Sequence, residues 1–127
     1  LDPIIIFQDW ERAYHGMIEK IFEVLSPSQI GWISLGSFRY RRSLKKIINE
    51  RHKNTRLFIG EHIASKDGKH RYLRSLRNEA YKNLRKLLKN VSADLNVYVC
   101  METKEIWEGV TGKMPRCDET LDKFFDL

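Results

Sequence analysis

The sequence has only two cysteines, Cys100 and Cys117, and they do not form a Cys-x-x-Cys pair. Two separated thiols cannot by themselves make a zinc or iron–sulfur motif, and their scarcity favours a reduced, cytoplasmic protein over a disulfide-rich secreted one. The four histidines also lack the i, i+4 spacing of a helical metal site. We therefore predict no metal site within this chain.

Long apolar runs are also missing. No stretch approaches the roughly 18 consecutive apolar residues of a membrane-spanning helix, so we expect no membrane partner. The chain opens on Leu1-Asp2-Pro3, not on methionine or a basic leader, and we expect it to be a piece of a longer protein. At 127 residues and 42% hydrophobic content, residues 1–127 should form a single folded domain.

The basic residues are concentrated in the middle of the chain. Residues 39–90 hold 17 of the 23 lysines and arginines and only four acidic residues, which gives this block a net charge of +13. The remaining residues carry −7, so the total is +6. A basic block between acidic ends is compatible with nucleic-acid binding, although a solvated helical surface has the same composition.

Apolar patterning predicts an α/β fold. Continuous apolar runs at 4–7, 30–36 and 95–101 are typical of strands buried in a parallel sheet. Amphipathic spacing predicts helices at 9–25, 42–52, 76–91, 103–110 and 119–125. Because a closed eight-stranded barrel needs about 250 residues, these three strands fit an open sheet or one side of a barrel.

A β-hairpin interrupts this alternation. Asp67-Gly68 is a strong turn signal between extended runs at 56–63 and 70–73. Lys69, Arg71 and Tyr72 then place basic and aromatic side chains on one ribbon, a combination suited to stacking on nucleic acid. An ordinary solvent-facing hairpin explains the same residues.

Small or polar residues lie at the carboxyl ends of two predicted strands. Ligands of parallel α/β folds bind at the carboxyl ends of strands, where Ser34 and Gly36 end the second strand and Glu102 follows the third. Glu102 could hold a ribose hydroxyl or act as a base, or it could cap the helix that begins near Thr103.

Four segments occur in a recognisable order: WISLGSFRY at 32–40, GEHI at 60–63, DGKHRY at 67–72 and YVCME at 98–102. Together with Asp2-Pro3 and Trp10-Glu11, they resemble the spore photoproduct lyase-like radical SAM family over nearly the whole chain. The resemblance implies the C-terminal half of a partial (β/α) barrel, with about three parallel strands, flanking helices and an inserted hairpin. It further implies a DNA-repair protein that splits a thymine-dimer lesion.

The resemblance also assigns site residues. It implies that the full-length parent binds S-adenosylmethionine and a [4Fe–4S] cluster, and that the cofactor side of the barrel is lined by Asp2, Ser34, Gly36 and Glu102. It implies that DNA is contacted by Arg71 and Tyr72 on the hairpin, with Lys69 and Arg39 in the same basic region. No catalytic residue is assigned.

The cluster cysteines of that family are absent from this chain. Because cluster binding needs several thiolates, the chain should bind no cofactor alone and should be inactive without the missing N-terminal half. Two alternatives stay open. The chain could be a stand-alone basic α/β nucleic-acid-binding module, or a half-barrel that self-associates through open sheet edges.

Overall fold

The computed structural model of the chain describes residues 1–116 and 119–126. The helices in these ranges are α1 (Trp10–Val24), α2 (Arg42–Arg51), α3 (Arg74–Val91), α4 (Lys104–Thr111) and α5 (Leu121–Phe125). The strands are β1 (Ile33–Leu35), β2 (Arg39–Arg41), β3 (His62–Ala64), β4 (Lys69–Tyr72) and β5 (Val97–Val99). The mixed α/β composition predicted from the sequence is therefore confirmed, whereas Cys117 lies outside the described residues.

The parallel sheet is small. Strands β1 and β5 pair in parallel, with Ile33 opposite Val97 and Leu35 opposite Val99. Both predicted strands are thus confirmed, although each is shorter than its apolar run. The described residues form two separate sheets, and the partial-barrel arrangement stays a prediction.

The predicted strand at 4–7 is reduced to one parallel bridge between Ile4 and Ser37. The next two residues do not continue the pairing, because their amides are bound elsewhere. The Ile5 N–H donates to the Tyr14 hydroxyl at 2.8 Å, and the Ile6 N–H donates to a second tyrosine hydroxyl at 3.2 Å. An apolar run indicates that a segment is buried, but it does not show which groups accept hydrogen bonds from its backbone amides. The prediction of a full strand here was therefore wrong.

The hairpin is confirmed, and it belongs to a larger sheet. Strand β4 pairs antiparallel with β3 on one side and with β2 on the other. The turn between β3 and β4 uses Gly68 at φ +75°, a conformation that glycine adopts without steric cost. Asp67 supports the turn by accepting a hydrogen bond from the Lys69 amide at 3.1 Å. Strand β2 was not predicted, because its three residues look like the polar end of the preceding strand.

The main core lies between the parallel strands and α3. One face of this 18-residue helix buries Ala80, Tyr81, Leu84 and Leu88, and the last three pack with Leu35 and the valines of β5. Burying an aliphatic side chain of this size contributes about 1.5–3 kcal/mol, so this face anchors the helix. Within residues 1–116 and 119–126, no helix combines the length and apolarity needed to cross a membrane.

Candidate nucleic-acid interface and strand-end network

Four basic residues share one face of the antiparallel sheet. The register pairs Arg39 with Arg71 and Arg41 with Lys69 across β2 and β4. Side chains alternate between the two faces of a sheet, so all four lie on the same face, which we call the basic sheet face. Three of these residues were predicted to contact DNA. Arg41 was missed, although the alternation of Arg39-Tyr40-Arg41 was a signal that could have found it.

Arg71 is held by its own turn. Its guanidinium donates two hydrogen bonds of 2.7 Å to the Asp67 carboxylate, and its side chain is only 7% exposed. The hydrogen bond from Arg71 holds the pKa of Asp67 far below its usual range, and Asp67 raises the pKa of Arg71. Such bidentate pairs fix geometry as well as charge. Arg71 therefore stiffens the hairpin and leaves Arg41 and Lys69 as the more accessible cations of this face.

Arg39 connects the basic sheet face to the strand ends. It donates to both carboxylate oxygens of Asp2, at 2.9 and 3.2 Å, and to the Ser37 carbonyl at 3.2 Å. The hydrogen bond to Asp2 raises the pKa of Arg39. Gly36 permits this approach, because a Cβ at that position would lie 2.6 Å from the Asp2 carboxyl carbon. The structure thus brings together Asp2 and Gly36, predicted on the cofactor side, and Arg39, predicted at the DNA.

Ser34 takes a different place from these residues. It lies in the middle of β1, opposite Tyr98, and its main-chain carbonyl accepts a hydrogen bond from the Leu1 amino group at 2.7 Å. Its role toward a cofactor stays a prediction.

Glu102 is enclosed by a buried polar network. Arg77 donates to its two carboxylate oxygens at 2.9 and 3.2 Å, and the Tyr81 hydroxyl donates to Oε1 at 2.7 Å. The side chains of Glu102 and Arg77 are only 2% and 5% exposed. Burial, first, and the neighbouring Glu102 carboxylate raise the pKa of Tyr81. Because both carboxylate oxygens of Glu102 accept these hydrogen bonds, Glu102 holds the side chains of Arg77 and Tyr81 in position.

The same network joins the two sheets. Tyr81 accepts a hydrogen bond from the Ser37 amide at 2.7 Å, next to the end of β1. Arg77 also donates to the Tyr72 carbonyl at the end of β4. Helical periodicity placed Arg77 on the polar side of α3 and Tyr81 beside the apolar stripe, so both residues were missed as parts of a site. The carboxylate that pairs with the buried Arg77 belongs to Glu102, 25 residues away, so the local sequence pattern could not identify it.

Tyr72 lies on the other face of the sheet from Arg71. It is 3% exposed, and its hydroxyl accepts the hydrogen bond from the Ile6 amide. Its ring centroid is 4.6 Å from that of His62. The predicted Arg71–Tyr72 pair is therefore divided between the two faces, and a contact between Tyr72 and DNA stays a prediction.

This opposite face is an aromatic–histidine cluster made of Phe38, Tyr40, Phe58, His62, His70 and Tyr72. The His70 ring stacks on Tyr40 with 5.5 Å between centroids. Burial lowers the pKa of His62, and the nearby positive charge of Lys45 acts in the same direction. The cluster packs on this face of the sheet, and the basic sheet face lies on the opposite side.

The residues present do not fit an iron–sulfur cluster. The whole sequence has two cysteines, and the part of the chain that the structure describes contains no group of three or more potential metal ligands. Cysteine-ligated clusters of the radical SAM type need three or four thiolates, so no step of cluster chemistry is assigned to these residues.

No protein-family model matches the chain, and no curated protein matches it either. Solved structures do match. A cysteine-to-alanine variant of spore photoproduct lyase superimposes with a TM-score of 0.63 at 20% identity, over 79% of this chain and 32% of that one. The chain has a spore photoproduct lyase-like fold. This result confirms, at the level of the fold, the resemblance that the ordered sequence motifs indicated.

Two further structures of this lyase carry ligands. Spore photoproduct lyase complexed with dinucleoside spore photoproduct matches with a TM-score of 0.61, at 20% identity over 79% of this chain and 32% of that one. A double variant with bound AdoMet and dinucleoside spore photoproduct matches with a TM-score of 0.59, at 20% identity over 78% and 31%. The chain thus spans about a third of the length of the lyases that it matches.

Proposed function

We propose that residues 1–127 are the C-terminal part of a radical SAM-type partial barrel in a DNA-repair protein like spore photoproduct lyase. The likeness to lyase structures in complex with a dinucleoside lesion supports this proposal. In this view the parent protein splits a thymine-dimer lesion, and this chain supplies strand ends and a DNA-contacting sheet. The cytoplasmic location predicted from the cysteine content belongs to the same proposal.

The observation that carries the DNA assignment is the shared face of Arg39, Arg41, Lys69 and Arg71. Neighbouring paired residues of a sheet lie about 5 Å apart, a spacing at which several side chains can reach consecutive phosphates. Two acidic residues, Asp2 and Asp67, orient two of the arginines and do not neutralise the other two cations. The face therefore keeps positive charge available for a phosphate backbone.

Cofactor chemistry is divided between this chain and the rest of the parent. The Asp2 side chain is 30% exposed beside the end of β1, so it can still face a ligand there. Glu102 acts through Arg77 and Tyr81 and not by direct contact. Cluster ligation and activity depend on the rest of the parent protein, because this chain has only two cysteines.

This chain has a surface that the rest of the parent protein could occupy. An open groove of about 1040 Å³ lies beside residues 5–7, between the start of α1 and residues 56–59. Phe7 is 49% exposed and Ile59 is 61% exposed beside it. Exposed apolar surface of this kind marks interaction sites. A second copy of the chain is the alternative occupant, which corresponds to self-association through open edges.

A stand-alone nucleic-acid-binding module is the second candidate function. It is favoured by the basic sheet face, whose four cations and their acidic partners all lie within this chain. This candidate needs no cofactor.

A salt titration tests the DNA contact. Binding of a labelled 16-base-pair duplex is followed by fluorescence anisotropy at several salt concentrations, for the chain and for Arg41→Gln/Lys69→Gln. Each lost phosphate contact lowers the slope of log affinity against log salt by about 0.9, so we expect a decrease of about 1.8. Undetectable or salt-independent binding by the unmodified chain contradicts the proposal.

A further inference from the structure

Eight of the ten residues of helix α2 are exposed, and Lys45 and Ile48 are half-buried. None of its ten residues is buried. It carries two exposed apolar side chains, Leu44 at 46% and Ile47 at 42%. Tertiary packing usually supplies most of a helix's stability, so a helix of this length with so little burial presents a surface that the fold itself does not use.

The charges of α2 are strongly one-sided. The helix contains four basic residues and a single acidic one, Glu50. Lys46 is 83% exposed, and its Nζ lies 4.0 Å from Glu50, a distance at which an exposed pair neutralises little charge. Lys45 alone is directed inward, with its Nζ 5.4 Å from the centre of the Phe58 ring. Arg42 and Lys46 lie one turn apart on the same exposed side of α2, where they can meet a polyanion.

Helix α2 is continuous with the basic sheet face. Arg41 is both the last residue of β2 and the N-cap of α2. A groove of about 370 Å³ runs between them, and its lining includes Arg39, Arg41, Leu44 and Lys69. Leu44 is the residue of α2 in this lining, so the cations of the sheet and of the helix meet through the adjacent residues Arg41 and Arg42.

We propose that α2 binds the phosphate backbone of duplex DNA next to the nucleotides that contact the basic sheet face. This inference rests on the proposed function and extends it from a lesion-sized ligand to the flanking duplex. Ten helical residues span about 15 Å, and each strand of a duplex has one phosphate per 3.4 Å or so of the duplex axis. The helix therefore adds about four base pairs to the contact.

The apolar area of α2 argues against a membrane as the partner. Helices that lie in a lipid interface bury a wide apolar face that commonly carries tryptophan, phenylalanine or several leucines. Here two exposed apolar residues stand among basic ones, next to a groove with a charged rim. A polyanion with regularly spaced phosphates fits this pattern better.

Paired glutamine variants test the inference on the whole chain. Arg42→Gln/Lys46→Gln removes two cations from α2, and Lys82→Gln/Lys86→Gln removes two exposed cations from α3 as the matched control. Glutamine keeps helix propensity, and far-ultraviolet circular dichroism checks the fold. With a 16-base-pair duplex, we expect the α2 pair to lower the salt slope by about 1.8 and the α3 pair to leave it unchanged.

Three outcomes overturn the inference. One is an α2 pair that binds like the unmodified chain, and another is an equal loss in the α3 control. The third is binding to vesicles of phosphatidylcholine and phosphatidylserine that depends on Arg42 and Lys46 while duplex binding does not. If Lys69→Gln weakens duplex binding and the α2 pair does not, the inference fails and the proposed function stands. If the unmodified chain binds no duplex, the proposed function itself fails.

Discussion

The buried pair of Arg77 and Glu102 gives the sharpest stability prediction. Glu102→Gln keeps the shape of the side chain and an oxygen that accepts hydrogen bonds, but it removes the negative charge. The Arg77 guanidinium, with 5% of its side chain exposed, is then left without a counter-charge. Breaking a buried ion pair in this way costs about 3–5 kcal/mol of the free energy of unfolding.

The size of the effect can be placed on a melting curve. A chain of 127 residues has an unfolding entropy near 0.27 kcal/mol/K, from about 2.1 cal/mol/K per residue. A loss of 3–5 kcal/mol therefore lowers Tm by about 11–19 °C. Because domains of this size are stable by only about 5–15 kcal/mol, the variant should be close to its folding threshold.

Thermal and urea unfolding measure this loss, with Glu108→Gln as the matched control. Glu108 pairs with Lys104 at 3.6 Å on the surface of α4, where the two side chains are 48% and 70% exposed, so this control should cost less than about 1 kcal/mol. The double variant Glu102→Gln/Arg77→Met should cost less than the sum of the single ones. A loss below about 1 kcal/mol for Glu102→Gln, or strict additivity in the double variant, would refute the account of this network.

Three further predictions concern the sheet and its turn. Asp67 has a lowered pKa in the folded chain, so its pair with Arg71 stabilises the protein fully above the ordinary aspartate pKa of about 3.9. This stabilisation is lost as the pH falls further. Asp67→Asn should therefore make Tm depend less on pH in this acidic range. His62 resists protonation when folded, so stability should decline as pH falls below about 6.5, and His62→Phe should remove this decline. Gly36→Ala should lower Tm, because its Cβ would meet the Asp2 carboxyl at 2.6 Å, whereas Gly31→Ala, with nothing within 4 Å, should not.

Local sequence signals predicted most of the secondary structure. Amphipathic spacing found the helices, and the Asp67-Gly68 dipeptide located the hairpin turn, because both depend on neighbouring residues. Strand β2 and the loss of pairing after Ile4 depend on hydrogen bonds to distant tyrosines and strands. Those partners cannot be read from a single segment.

The candidate site was predicted in part. The sequence named three of the four residues of the basic sheet face, but it could not tell which face each side chain occupies without the register. For that reason Arg71 and Tyr72 looked like a pair, although they lie on opposite faces. Glu102 was recognised as a strand-end carboxylate, whereas its partners Arg77 and Tyr81 lie 25 and 21 residues away in the chain.

The most direct test of the central claim is to map the DNA-contacting surface by NMR. A ¹⁵N-labelled chain is titrated with a 16-base-pair duplex, and the amides that shift are assigned. The account predicts shifts concentrated in β2, β4 and the first turn of α2, with the amides of α4 unchanged. Shifts confined to the exposed side of α1, or no shifts at any salt concentration, would contradict it.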